Sequence, residues 1–319
     1  MEILEIDLLA FENGSSSGRA AVVDGVMRSL ATGFVYVRHD LSVDMIDEVY
    51  AQLEAFFALP GERKDAYVAA GTMGQTGYTP LMVEKASTSE VADFKEMLNW
   101  SAPVPEGHPL RARFPLRYHP PVLPEDDLPG IRSLLLGFAD SVAGLQRRVL
   151  RIIAEGLGAD AGYFEEMLTD GGTLTRAIHY PPMAQAPSDT SEPIVWAAEH
   201  ADINLITALP RATASGLQVH TAEGWIDAAP PQDRAIINTG MMLERISNGV
   251  LRAAVHRVVS AAGQSGDRYS VVQFAHPTPW TILAPMPSCV TAANPLRYSA
   301  ISAADALDRV LWQINLTGQ

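Results

Sequence analysis

Apolar residues recur along this chain with two periods. Between Arg19 and Ala31 they fall at Val22, Val23, Val26, Met27 and Leu30; between Ser42 and Leu59 at Ile46, Val49, Tyr50, Leu53, Phe56 and Phe57. That spacing puts them on one side of a helix, and Gly33 and Pro60 are natural stops. Phe34-Val35-Tyr36-Val37 between them reads as a short strand, and about Pro129 to Gly158 as a third, longer helix. Beyond a Pro/Ser-rich break at Pro181–Pro193 the period changes to that of short strands. They are Leu205–Leu209, Gly216–His220, Trp225–Asp227, Ala235–Asn238, Ala254–Val259 and Tyr269–Phe274, which together suggest a sandwich or barrel. The chain turns helical again at its end, where Ser302 can cap a helix with Leu307, Val310, Leu311 and Ile314 on one face.

Composition narrows the function classes. With 319 residues, 47% hydrophobic and 19% charged, the chain can bury a sizeable core and is not disordered. A net charge of −14 repels phosphates and anionic lipid, so neither nucleic acid nor membrane is an expected partner; a small molecule is. The single cysteine, Cys289, excludes an intramolecular disulfide and thiolate clusters. The acidic start Met1-Glu2-Ile3-Leu4-Glu5 is unlike a signal peptide, and no apolar run approaches the roughly 18 residues of a membrane span. A cytoplasmic protein is expected; oligomeric state is not legible.

Among eight histidines, one stands two residues before an aspartate, in His200-Ala201-Asp202. On a strand, positions i and i+2 share a face, so an imidazole and a carboxylate would project together. A histidine from a neighbouring strand would complete the facial triad used by non-haem Fe(II) oxygenases. His256, in Ala254-Val255-His256-Arg257-Val258, is the candidate. Alone, the pair also fits a surface ion pair, and a histidine in an apolar strand is more often simply packed in the core. Downstream, Arg268 and Ser270 are placed to hold a carboxylate jointly; the bland alternative is a part-solvated arginine at a strand start.

These elements sit, in order, inside a wider pattern. Asn238-Thr239-Gly240-Met241-Met242-Leu243-Glu244-Arg245-Ile246-Ser247-Asn248-Gly249 followed by Ala254-Val255-His256-Arg257-Val258 resembles the isopenicillin N synthase-like family of Fe(II)/2-oxoglutarate dioxygenases. So do Gly216-Leu217-Gln218-Val219, Gly33-Phe34-Val35-Tyr36-Val37, Gly77-Tyr78-Thr79-Pro80 and Asp93-Phe94-Lys95-Glu96. The resemblance covers roughly residues 1 to 280 and implies a mixed α/β (α+β) fold: a double-stranded β-helix, or jelly roll, flanked by helices. It implies Fe(II) on His200, Asp202 and His256, and 2-oxoglutarate on Arg268, Ser270 and Tyr180. It implies O2 as oxidant, ascorbate as an auxiliary reductant, and oxidation of a substrate C–H bond. Hydroxylation is the commonest outcome in the family, and desaturation and ring chemistry also occur. Bacterial specialised metabolism is the expected setting.

The resemblance divides the chain into an N-terminal region (1–125), a core with its preceding helix (126–280) and a tail that could form a lid (281–319), best treated as one unit. His179, Trp196, Met241, Met242 and Tyr78 are candidates for the substrate pocket, with core packing the bland alternative for the Met and Trp residues. Two positions depart from the family. Ile178 stands where many members carry asparagine near the cosubstrate, with His179 the candidate to compensate, and Gly240-Met241 replaces the usual Gly-Asp. Two alternatives keep the fold: an iron oxidase that uses no 2-oxoglutarate, and a non-catalytic jelly-roll binding protein.

Overall fold

The computed structural model describes residues 3–313 apart from 73, 87, 189–193, 232 and 262. The N-terminal region supplies strands β1 (Glu5–Asp7), β2 (Phe34–Arg38), β3 (Gly77–Thr79) and β4 (Glu96–Ser101). The central region adds β5 (Leu174–Tyr180), β6 (Ala197–His200), β7 (Ile206–Ala212), β8 (Leu217–Thr221), β9 (Gly224–Asp227) and β10 (Arg234–Thr239). There follow β11 (His256–Val258), β12 (Arg268–Ala275), β13 (Ile282–Leu283) and β14 (Ile301–Ser302). The helices are α1 (Leu8–Asn13), α2 (Ser16–Leu30), α3 (Val43–Phe57), α4 (Gly61–Asp65), α5 (Pro109–Arg113), α6 (Ile131–Gly156), α7 (Glu165–Leu168), α8 (Met241–Ile246) and α9 (Ala303–Gln313). Of the apolar face expected on the last helix, Ile314 and the side chain of Leu311 lie outside the described residues.

Eight strands form one sheet in the order β1-β2-β10-β7-β12-β5-β4-β3, and four form a second, β6-β11-β8-β9. Their inner faces oppose each other as a jelly roll, and the N-terminal strands extend both edges of the large sheet. Alternation along β12 divides its labour. Arg268, Ser270, Val272 and Phe274 line a cavity between the sheets. Val271 and Ala275 instead join the apolar core behind the large sheet.

Helix α6 fills that outer side. Its buried residues Leu135, Phe138, Val142, Leu145, Val149, Ile152 and Ile153 keep helical spacing over 26 residues. Two amides tie it to the sheet: Gln146 Nε2 donates to the carbonyls of Ile206 and Gln273, and Gln273 Nε2 donates to that of Ala139. At its start the Glu125 carboxylate accepts from the Gly130 and Arg132 amides at 2.7 and 2.9 Å, answering donors the first turn leaves open. Helix α3 is capped by Ser42 Oγ, which accepts from Met45 N.

The helices expected over 19–31, 42–59 and 129–158 are present with ends shifted by one to three residues. Two strands differ in a way that matters for the site. The run from Ala254 to Val259 is strand only over His256–Val258, and β6 stops at His200. Asp202 therefore lies in the turn after β6 and not on a strand shared with His200. The carbonyl of Asp202 accepts from Met241 N at 2.8 Å, and that of Leu205 from Gly240 N at 2.9 Å, which docks the turn on the start of α8.

Gly33 links α2 to β2 at φ +92°, and a Cβ there would lie 2.7 Å from the Cβ of Ala254, two residues before His256. Left-handed strain and the close contact act together, so Gly33→Ala is expected to lower stability by about 2–4 kcal/mol. Urea unfolding checks this; an unchanged midpoint would contradict it.

Candidate metal and cosubstrate site

The second sheet brings the two histidines together. His200 ends β6, His256 begins β11, and the two are cross-strand partners. Their ring centroids lie 4.4 Å apart. One ligand atom from each of His200, Asp202 and His256 falls within 4.8 Å of the others. The protein orients each donor. Nδ1 of His200 lies 2.8 Å from the carbonyl of Ala198, and Nδ1 of His256 lies 2.9 Å from that of Ala254. A carbonyl only accepts, so both protons sit on Nδ1 and both Nε2 lone pairs are free for a cation. Asp202 Oδ2 accepts from Thr207 Oγ1 at 2.5 Å and from Asn238 Nδ2 at 2.7 Å. Its other oxygen, Oδ1, lies 3.9 Å from Nε2 of His200.

Electrostatics suit the same purpose. Burial, then the neighbouring His256, pushes His200 down to about 4, so it is a neutral ligand at physiological pH. Burial works to raise Asp202, but the two imidazoles and the hydrogen bonds from Thr207 and Asn238 outweigh it and hold the carboxyl below its usual range. Two neutral imidazoles and one carboxylate on one side, with the other side open to a cavity, fit an Fe(II) ion that must also bind small ligands.

Across the same cavity lies Arg268, only 1% exposed. Nε donates to the carbonyl of Ala214 and Nη1 to Ser270 Oγ, both at 3.2 Å. Its guanidinium carbon sits 4.9 Å from the centroid of the Tyr180 ring, and Tyr180 is its cross-strand partner. Among the described residues no carboxylate pairs with it. A buried, unpaired guanidinium is costly, and its planar fork suits a carboxylate. A guanidinium of this kind, in one cavity with the triad, fits a 2-oxo dicarboxylate.

The cavity measures about 420 Å³. Besides these residues it is walled by Glu84, Lys95, Arg176 and His276, none singled out in the sequence. Lys95 Nζ lies 2.8 Å from both Glu84 and Asp93, and Arg176 contacts Glu84 at 3.2 Å and Asn99 at 2.7 Å. The signal for Arg176 was its two-residue step from Ile178 and four-residue step from Tyr180, which puts all three on one strand face. Lys95 stood inside Asp93-Phe94-Lys95-Glu96 with no role assigned to it, and for Glu84, brought to it only by tertiary packing, there was no signal. From the tail, Leu307 and Val310 also line the cavity.

Of the five pocket candidates, Met241 lines the cavity. The other four side chains are packed elsewhere. His179 has the opposite strand parity to Ile178 and Tyr180 and stacks on Tyr269. Tyr78 donates to Glu96 in the same layer. Trp196 is fully buried between the sheets, where its Nε1 donates to the Pro181 carbonyl, and Met242 joins the helical core. Ile178 lines the cavity opposite Ser270, so the position that departs from the family presents an apolar wall there. His179 faces away and cannot compensate for it.

Two family profiles match this chain: "non-haem dioxygenase in morphine synthesis N-terminal" over residues 5–125, and "2OG-Fe(II) oxygenase superfamily" over residues 172–277. Among solved structures, a 2OG-Fe(II) oxygenase family protein from Caulobacter crescentus is 31% identical with a TM-score of 0.84, covering 98% of this chain and 99% of that one. A full-length Neurospora crassa protein in complex with alpha-KG is 27% identical with a TM-score of 0.83, covering 97% and 95%. A curated relative, Kihadalactone A synthase of Citrus sinensis, is 28% identical over 85% of this chain and 81% of its own. The chain belongs to the 2OG-Fe(II) oxygenase superfamily. It is a 2-oxoglutarate-dependent dioxygenase that acts on small molecules and needs Fe(II), 2-oxoglutarate and O2. Among the described residues no helix is long and apolar enough to cross a membrane.

Burial sets an acid limit on the metal-free protein. His276, pushed down by burial and then by Arg117, also lies at about 4. An unfolded histidine takes up its proton near pH 6.5, while native His200 and His276 do so only near 4. The unfolded state then binds more protons across that interval, so stability falls as pH drops through it. The thermal midpoint of the metal-free protein is expected to fall from about pH 6.5 to about pH 4, and less steeply in His276→Phe. Equal slopes in the two proteins would contradict this.

Proposed function

We propose that His200 and His256, through Nε2, and Asp202, through Oδ1, hold Fe(II), and that Arg268 and Ser270, beside Tyr180, hold the distal carboxylate of 2-oxoglutarate. The enzyme oxidises a C–H bond of a small molecule bound in the cavity, with hydroxylation as the outcome. When bound, the iron and cosubstrate supply, with O2, the oxidant for that bond, and 2-oxoglutarate leaves as succinate and CO2. The protein supplies position and a dry enclosure. Thr207 and Asn238 occupy Oδ2 of Asp202 and so leave Oδ1 for the ion, and the carbonyls of Ala198 and Ala254 fix the imidazole tautomers. The observation that carries this reading is a buried arginine, unpaired by any described carboxylate, lining one cavity with the three ligand side chains.

Charge balance supports a neutral substrate. The loaded centre sums to zero: two positive charges on iron, one on Arg268, one negative on Asp202 and two on 2-oxoglutarate. The wall adds no net charge either: Lys95 and Arg176 are paired with Glu84 and Asp93, and the remaining charged side chains that line it, Lys85 and Glu199, are of opposite sign. A neutral molecule with one polar edge for Arg176 and His276 and an apolar body fits. The Citrus relative supports a role in making or tailoring small molecules in specialised metabolism. Leu307 and Val310 support α9 as a lid.

With Fe(II), ascorbate and 2-oxoglutarate in air, the wild-type protein is expected to form succinate and His256→Ala none. Arg268→Ala is expected to raise KM for 2-oxoglutarate by about 100-fold, as loss of a buried charge-assisted pair implies. Equal succinate from wild type and His256→Ala would refute the metal assignment. Once a substrate is known, truncation before Ala303 should raise its KM; an unchanged KM removes the lid.

A further inference from the structure

The residue next to Tyr180 faces the helices, and its surroundings are unusual. Glu96, His179 and Tyr269 are cross-strand partners in one row across β4, β5 and β12. His179 Nδ1 lies 2.6 Å from Glu96 Oε1, and its Nε2 lies 2.6 Å from Asp267 Oδ1. A neutral imidazole has one donor and one acceptor, whereas an ionised carboxylate only accepts. Only the imidazolium satisfies both sides of this bridge.

The neighbours hold the ring in that geometry. Tyr269 stacks on it at 4.7 Å and 12°, and Phe57 of α3 packs at 5.4 Å. From α4, Lys64 Nζ reaches the other Glu96 oxygen at 2.7 Å, and from β3 the Tyr78 hydroxyl donates to that same oxygen. Asp65 acts on Tyr78 and Glu54 of α3 on Tyr269 from further off. Burial raises Glu96, but hydrogen bonds from His179, Lys64 and Tyr78 outweigh it and keep it ionised. Asp267 is the freer end, with 45% of its side chain exposed.

Asp267 immediately precedes Arg268 and lies just ahead of β12. Among the described residues the Arg268 guanidinium is itself hydrogen-bonded only to Ala214 and Ser270. The lead into β12, which aims that guanidinium, is therefore fastened through Asp267 to β5 and β4.

We propose that His179 is a positioning residue: bridging Glu96 and Asp267 through both ring nitrogens, it pins the lead into β12 and sets Arg268 for the cosubstrate carboxylate, so that 2-oxoglutarate affinity depends on the bridge. The proposal rests on the assignment of Arg268 to 2-oxoglutarate. When the bridge is cut, the exposed Asp267 end releases. Arg268 then keeps its charge but loses its aim.

The test is anaerobic titration of the full-length, Fe(II)-loaded protein with 2-oxoglutarate, read by the visible absorption band of the complex. Asp267→Ala removes the freer end of the bridge and is expected to weaken binding about tenfold, the size expected for one charge-assisted hydrogen bond. Asp267→Asn should keep most of the wild-type affinity, because its amide oxygen still accepts from the ring. His179→Phe keeps the stack without the nitrogens. It should bind 2-oxoglutarate weakly while its succinate rate at saturating 2-oxoglutarate stays near wild type. Wild-type affinity in His179→Phe or in Asp267→Ala would overturn the proposal. A wild-type band insensitive to Arg268→Ala, or no band at all, would instead bring down the cosubstrate assignment and this proposal with it.

Discussion

A guanidinium enclosed in a protein interior needs an anion. Arg268 is 1% exposed and, among the described residues, hydrogen-bonds only a carbonyl and a hydroxyl, lies over the Tyr180 ring and has no carboxylate partner. Left so, it would be a standing cost to the fold. The architecture makes sense if the missing anion arrives from solution. The cavity that Arg268 lines is also lined by two imidazoles and a carboxylate, each turned by the backbone or by Thr207 and Asn238 to leave one lone pair facing inward. A dicarboxylate that reaches both ends satisfies the arginine and chelates a cation at once.

Strand parity is the device that builds this. On β12, the two-residue step sends Arg268, Ser270, Val272 and Phe274 into the cavity and leaves Val271 and Ala275 to the helical core. On β5 the same step sends Arg176, Ile178 and Tyr180 inward and His179 outward. The inward row lines the cavity and the outward row packs toward α6, α3 and α4, so the cavity and the packing occupy opposite faces of the same strands. One residue of register separates a cavity-lining position from one packed behind the sheet.

Much of this was legible in the sequence. Helical spacing located α2, α3 and α6 because each has one long apolar face. The six later strands were legible from short β-type runs between turn residues. The step from Arg268 to Ser270 was readable because β12 is regular there. The geometry of Asp202 was not: the sequence put it on a strand with His200, but it sits in a turn whose shape is set by α8, far along the chain. Nor was the pocket wall. Glu84, Lys95 and Arg176 come together only when β4, β5 and the segment before β4 pack side by side, and no local pattern encodes that meeting. His179 was placed in the pocket as the residue to compensate for Ile178, where many family members carry asparagine. Parity alone would have turned it away.

The account stands or falls on whether one cavity holds both groups as described. A crystal grown without oxygen, containing Fe(II) and 2-oxoglutarate, tests this directly through the anomalous signal of iron. The prediction is iron bound by Nε2 of His200 and His256 and by Oδ1 of Asp202, with the far carboxylate of 2-oxoglutarate on Arg268 and Ser270. Iron held elsewhere, histidines turned to bind through Nδ1, or a cosubstrate that does not touch Arg268 would contradict it.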